Sequence, residues 1–213
     1  MGDEAYRGSE TIFSSAGQFN EMSFVIQQLL GRVATVTLVK VEAVTNAGEA
    51  SAVGFADVVP MVHQIDGKGQ PTPHGTIYSV PYMRLQGGAN AVILDPQVGD
   101  IGLALFASRD ISGVKATKAP NVPPTRRRFS MADALYIGGV LNGVPTQYVR
   151  FHAAGIEVKA PTVAITGDLE VTGTIHTSST ITGDTDVVGG GKSLKTHTHG
   201  GVQTGGGNTG APN

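Results

Sequence analysis

The chain has 213 residues, of which 40% are hydrophobic, 6% aromatic and 15% charged. This hydrophobic content is that of a globular domain, but 30 glycines and the lack of tryptophan indicate strands and turns built from small side chains, as in fibrous or repetitive β structure. The formal net charge of −2 argues against a general nucleic-acid-binding protein, and the lack of cysteine excludes disulfides and thiolate metal sites.

A polar arm and an amphipathic helix are predicted at the start of the chain. Residues 1–18 lack the apolar core of a signal peptide, and we expect them to become ordered only against a partner. No run of the sequence approaches transmembrane length, which favours a soluble protein made in the cytoplasm. From residue 19 to residue 30, apolar residues recur every three or four positions. Asn20 is the predicted cap and Gly31 the predicted stop of a helix that packs either on its own domain or on a neighbouring subunit.

Strand patterns dominate the next part of the chain, up to about residue 108. The predicted strands cover residues 33–41, 54–62, 76–83, 89–94 and 101–106. Short strands separated by turns rich in glycine, proline and asparagine fit a small barrel of the OB type. We therefore assign residues 19–118 to an OB-fold barrel domain with the helix in front of it.

Residues 119–154 are predicted to connect the barrel to the rest of the chain. Residues 135–140 and 146–151 have the pattern of a final hairpin around Asn142-Gly143, a strong turn dipeptide. The cluster Arg126-Arg127-Arg128 could grip phosphate or an acidic partner, or form a solvated or subunit-contacting face. We favour the second interpretation, since charge clusters usually lie on such surfaces.

A sustained two-residue alternation begins at Gly155. After Pro161 resets the register, the large aliphatic side chains fall only at odd positions for about 25 residues. Glycine, threonine and serine fill the other odd positions, and mainly threonine, aspartate and glutamate lie between them. The large aliphatic residues of this row are Val163, Ile165, Leu169, Val171, Ile175, Ile181 and Val187. A lone chain has no surface that could bury the row and so offset the entropy of ordering the strand. Residues 155–190 are therefore predicted to intertwine with two further copies as a β-helix or triangular β-prism, which also leaves no open edge.

The last segment, residues 191–213, carries two histidines in a tail rich in glycine and threonine. His197 and His199 project to the same side of an extended strand, because side chains alternate with a period of two. One pair is a poor metal site, but three copies on a threefold axis supply six imidazoles, an octahedral set that suits iron or nickel better than tetrahedral zinc. Such a site has no open coordination position and is structural. The alternative is a flexible, tag-like tail.

The sequence offers little for catalysis. Asp95 and Asp100 flank a turn but have no histidine or second carboxylate cluster nearby in sequence. No Ser/His/Asp or Cys/His pattern emerges, and no aromatic residue follows Phe151 to form a sugar-binding platform. We therefore predict a protein without enzymatic activity.

A barrel, a β-fibre and a terminal His-x-His together resemble the central spike proteins of contractile-tailed bacteriophages. This is the baseplate assembly protein V (membrane-piercing tail-tip) family, and the layout is similar to that of the Mu-like spikes. Residues 95–110 (DPQVGDIGLALFASRD) resemble the barrel strand segment of that family, and residues 156–188, dotted with Thr-Gly, resemble its triple-stranded β-helix. Thr196-His197-Thr198-His199 resembles its iron-binding apex, although residues 200–213 still follow and imply that the chain folds back there.

The resemblance implies a homotrimer with one iron ion per trimer, held by six histidines that are His197 and His199 of each copy. It also implies a virion protein at the tip of the tail baseplate, synthesised in the host cytoplasm, with its blunt barrel end seated on the tail hub and other baseplate proteins. The function expected from the family is mechanical: the spike pierces the host outer membrane during sheath contraction, without nucleic acid as a partner. The alternatives are a tail-tip binding module and a polysaccharide-cleaving tailspike.

Overall fold

The computed structural model describes residues 17–31, 33–46, 50–198, 201 and 205. The chain divides into two compact units, Met1–Pro145 and Thr146–Asn213. The predicted N-terminal arm lies almost wholly outside the described residues. Among the helices that are described, none has the length and apolar character needed to cross a membrane.

The first unit contains both α-helices and most of the strands. Its helices are α1 (Gln18–Leu30) and α2 (Ser112–Thr117), with a 3-10 helix at Met131–Asp133. Its strands are β1 (Val36–Val44), β2 (Phe55–Pro60), β3 (Gln64–Ile65), β4 (Pro71–Thr72), β5 (Ile77–Pro81), β6 (Leu85–Gly87), β7 (Asn90–Val92), β8 (Ile101–Phe106) and β9 (Ala134–Gly138). The second unit contains β10 (Tyr148–His152), β11 (Gly155–Lys159), β12 (Val188–Gly189) and β13 (Lys192–Ser193).

A five-stranded antiparallel sheet in the order β5-β2-β1-β8-β9 forms the body of the first unit. The sheet curls until its edge strands meet, where Tyr82 and Tyr136 form a parallel bridge and the Met83 N–H donates to the Tyr136 carbonyl at 2.9 Å. Alternate residues of β1, β2 and β8 point inward, which is the two-residue period of a half-buried strand. The buried core consists of Val39, Val41, Ala56, Val58, Ile77, Val80, Tyr82, Ala104, Phe106, Ala134 and Tyr136. The predicted mainly β fold is thus confirmed, with a curled half-barrel in the first unit.

The barrel sheet extends beyond the predicted boundary at residue 118. Its fifth strand, β9, pairs with β8 from Gly102 opposite Gly138 to Phe106 opposite Ala134. Strand 101–106 was predicted with its observed bounds, whereas the other predicted strands differ from the observed ones by a few residues at their ends.

The predicted hairpin between residues 135–140 and 146–151 is wrong. β9 pairs with β8 instead, and β10 pairs with β11. The Asn142 side chain explains the difference, because its Oδ1 accepts the Ile101 N–H at 2.8 Å and its Nδ2 donates to Asp100 at 3.3 Å. The Asn-Gly turn is therefore tied to the start of β8 and does not close a local hairpin.

Helix α1 forms where the spacing of apolar residues predicts it, but its cap differs. Gly17, with φ 132°, precedes the first turn, and Asn20 lies inside the helix. The predicted stop is confirmed, since the Gly31 N–H donates to the Gln27 carbonyl at 2.8 Å. No residue of α1 is buried, and Phe19 is 82% exposed. The described chain therefore does not support packing of this helix on its own domain, and docking on a neighbouring subunit stays the open interpretation.

A buried ion pair spans the loop excursion between β5 and β8. Arg84 Nη2 lies 2.7 Å from Asp95 Oδ1 and 2.8 Å from Asp95 Oδ2, and the two side chains are 3% and 0% exposed. Arg84 Nη1 also donates to the Ser51 carbonyl. The hydrogen bond to Asp95 raises the pKa of Arg84, which keeps this pair charged. Asp95 is therefore a structural anchor of this loop.

Arg127, the central member of the arginine cluster, joins two buried carboxylates. Its Nη2 lies 2.5 Å from Asp110 Oδ1 and its Nε 2.6 Å from Asp133 Oδ2. Hydrogen bonds from Ser112 and Thr125, together with the charge of Arg127, lower the pKa of Asp110 to about 2. The hydrogen bond from Arg127 likewise lowers the pKa of Asp133. The interpretation of the cluster as a solvated or subunit-contacting face is wrong for Arg127, because its guanidinium binds two buried carboxylates of its own chain.

Gly102 in β8 is required by the close approach of an aromatic ring. A Cβ atom there would lie 2.5 Å from the Ile137 carbonyl oxygen and 2.6 Å from Tyr136 Cε2. We expect Gly102→Ala to lower the free energy of unfolding of the first unit by about 1–3 kcal/mol, the usual cost of overpacking a core. Gly75→Ala is the matched control, because a Cβ atom at Gly75 meets open space. Denaturant unfolding followed by tyrosine fluorescence measures both variants, and equal stability of the two would contradict the packing argument.

Candidate metal centre

The described end of the second unit folds into a small hairpin. β12 and β13 pair antiparallel, with Val188 opposite Ser193. Gly190 and Gly191 form the two-residue turn, with φ angles of 57° and 75°. Two successive positive φ angles are typical of a type I′ turn, which glycine adopts without strain and which matches the twist of the strands. The run Gly189-Gly190-Gly191 therefore contains the turn that reverses the chain after the alternating segment.

Asp186 anchors the chain that follows this hairpin. Its Oδ1 accepts the N–H of Val187 at 2.8 Å and the N–H of Lys195 at 3.2 Å. The hydrogen bond from the Ser193 side chain, reinforced by those backbone donors, lowers the pKa of Asp186. Ser193 Oγ in turn accepts the Thr196 N–H at 2.9 Å. These bonds hold the backbone in a compact turn immediately before the first predicted metal ligand.

His197 is positioned by this turn through both its backbone and its ring. The backbone N–H donates to the Ser193 carbonyl at 3.1 Å. The ring Nδ1 lies 3.1 Å from the Ser193 carbonyl oxygen and 3.1 Å from that of Leu194. A carbonyl oxygen can only accept, so Nδ1 carries a proton, and in the neutral ring the lone pair is then on Nε2. An Nδ1–H that donates to a backbone carbonyl is a usual arrangement of a metal-ligating histidine, and the ring therefore fits the predicted role.

The structure covers the predicted ligand pair only in part. His199 lies outside the described residues, so its place beside His197 stays a prediction. Within the described part of a single chain, no three histidine, aspartate or glutamate side chains come together as a metal site. His176 is exposed.

Sequence reasoning missed the support that Asp186 and Ser193 give to His197. The signal was present, because an aspartate shortly before a glycine-glycine turn often accepts neighbouring backbone N–H groups. The alternation places Asp186 only among its polar residues, because a pattern of hydrophobicity carries no information on hydrogen bonds.

Comparison with known protein families agrees with this geometry. A family profile described as the GpV Apex motif matches residues 193–213, which contain both predicted histidine ligands. No curated protein matches the chain. In a chain of mainly β fold, this motif points to a structural component of a phage tail baseplate. The motif supports the gpV-like family of baseplate central spikes and so confirms the resemblance that the sequence carries.

Proposed function

We propose that three copies of this chain form the central spike at the tip of a contractile-tail baseplate, which pierces the host outer membrane when the sheath contracts. In this assembly residues 155–190 form the shaft, the apex is closed by iron, and the barrel is seated on the tail hub. The role is mechanical and requires no enzymatic step, in keeping with the structural character of the GpV spike family.

The observation that carries the proposal is the state of the shaft segment in a single chain. Residues 160–186, all of them described, form no backbone–backbone hydrogen bond with any other described residue. The seven large aliphatic side chains of the odd-numbered row are 40–65% exposed. Extended backbone that is neither paired nor packed is costly unless partners are supplied, and identical copies supply both kinds of contact at once.

The orientation of His197 supports closure of the apex by a metal ion. His197 and His199 of three copies would give six imidazole nitrogens, and bound iron would then tie the three chains together at the end most liable to fray. The chain's own contribution is to fix the ring of His197 through Ser193 and Leu194 before the copies meet. That preorganisation reduces the entropy lost when the site forms.

The topology of the first unit supports a barrel of the OB type as the blunt end. The strand order β5-β2-β1-β8-β9, with a parallel bridge between the two edge strands, is that of a partly open five-stranded barrel. Exposed apolar residues such as Tyr78, Leu85 and Leu94 on this unit provide surface for contact with hub proteins.

The proposal is tested by native mass spectrometry with elemental analysis, and by locating the chain in tailed particles. Three chains of 21.9 kDa predict a species of about 66 kDa that carries one iron ion. Immunogold labelling of particles that contain the chain should mark the tip of the tail. A monomer in dilute buffer, or label along the sheath or on the capsid, would refute the proposal. Turnover of host polysaccharide by the purified chain would favour the tailspike alternative.

A further inference from the structure

The β10–β11 hairpin, whose second strand is the first part of the shaft segment, has two faces of opposite character. Residues directly opposite in the pairing share a face, and Val149 pairs with Val158 while Phe151 pairs with Ile156. These four side chains form a continuous apolar face, which we call the hairpin apolar face. They are 60%, 53%, 75% and 63% exposed in that order. Two-stranded hairpins are marginal in water unless such a face is covered, so the second unit requires a partner here.

The opposite face of the hairpin is polar and satisfied within the hairpin itself. Glu157 accepts a hydrogen bond from the Tyr148 hydroxyl at 3.0 Å and forms an ion pair with Arg150 at 2.6 Å. The cations of Arg150 and Lys159 lie 5.9 Å and 5.7 Å from the centroid of the Tyr148 ring. The charges of this face are therefore engaged locally, and covering the hairpin apolar face would bury none of them.

We propose that the hairpin apolar face is covered by the same face of two other copies, so that three hairpins form an apolar collar where the shaft begins. The inference rests on the proposed trimeric shaft. Lys159 and Val163 are four residues apart, and four extended residues span at most about 14 Å. If three chains meet at Val163, the near end of each hairpin lies within about 14 Å of that meeting point, which allows the ~10 Å spacing of sheets packed face to face.

The chemistry of the face favours copies of this chain over an unrelated partner. It offers only aliphatic and aromatic side chains, with no charged group to select a different protein by complementarity. Association of identical apolar faces around an axis is closed, so it leaves no surface for further addition.

The first test compares two full-length variants on opposite faces of the hairpin. Phe151→Ala should raise the concentration at which the trimer dissociates by at least about tenfold, because each copy loses a buried aromatic side chain. Lys159→Gln, on the polar face, should leave that concentration unchanged. Native mass spectrometry over a dilution series measures both variants. Equal dissociation of Phe151→Ala and Lys159→Gln would overturn the collar.

A second test uses the lack of cysteine in the natural chain. Val149→Cys should be linked between copies by a short bis-maleimide reagent, and Arg150→Cys on the opposite face should not. Ile165→Cys in the shaft reports on the trimer independently of the collar. Linking through position 165 without linking through position 149, or equal linking through positions 149 and 150, would overturn the collar and leave the shaft intact. A species of single-chain mass without linking at any position would overturn both the collar and the proposed spike.

Discussion

Replacing His197 and His199 by alanine is expected to remove the bound iron and to lower the melting temperature of the second unit, while the barrel of the first unit unfolds at its original temperature. Structural metal sites contribute on the order of 10 kcal/mol to folding, so we expect a fall of roughly 10 °C or more for the shaft. Elemental analysis of the purified trimer and calorimetry of the two transitions measure the effect.

The control for this variant is the removal of imidazoles outside the apex. His176→Ala changes an exposed residue of the shaft segment and His152→Ala changes a residue of the β10–β11 hairpin, and neither belongs to the predicted ligand set. Both should keep the full metal content and the original transition. If the double variant at positions 197 and 199 also kept its metal, the assignment of the apex site would be wrong.

Introducing carboxylates on the aliphatic row of the shaft should abolish the trimer. In Ile165→Asp combined with Ile175→Asp, each new charge would be buried between three chains beside two copies of itself. Uncompensated buried charge costs several kcal/mol per group, and like charges at short distance add to that cost. We expect the variant to sediment as a single chain of 21.9 kDa with a folded barrel.

The matched control places the same charges on the other side of the strand. Thr166→Asp combined with Thr174→Asp lies on the even-numbered, polar positions of the alternation, so both carboxylates should remain in water. This control should sediment as a trimer of unchanged stability. Trimers from both variants would mean that the odd-numbered row does not face the axis.

Local periodicity predicted those elements whose signal lies within one segment. β8 was predicted with its observed bounds because residues 101–106 are a short run without polar residues directly after the turn at residues 95–100, and α1 was predicted because its apolar spacing is helical. Gly17, which precedes α1 with a positive φ angle, was overlooked in favour of Asn20 because the predicted helix began at residue 19 and not at residue 18.

Features that depend on contacts between distant segments could not be predicted from local periodicity. The pairing of β9 with β8 follows from the hydrogen bonds of Asn142 to Ile101 and Asp100, and these join positions about forty residues apart. The ion pair of Arg127 with Asp110 also joins residues that local periodicity does not connect, since they lie 17 positions apart. For the proposed metal site, the residue type and the two-residue spacing predict His197 as a ligand, but the tautomer set by the Ser193 and Leu194 carbonyls required coordinates.

The lack of backbone pairing within residues 160–186 has a consequence for how the protein is made. If three copies form the shaft as proposed, a newly synthesised chain can fold its barrel at once, but its shaft must wait for two further chains. The rate of maturation then rises steeply with the local concentration of product. Before the three chains associate, the unpaired backbone of residues 160–186 is accessible to proteases and can pair with unrelated strands. Translation of many chains from one messenger RNA would keep the new chains close together and shorten the time before they associate.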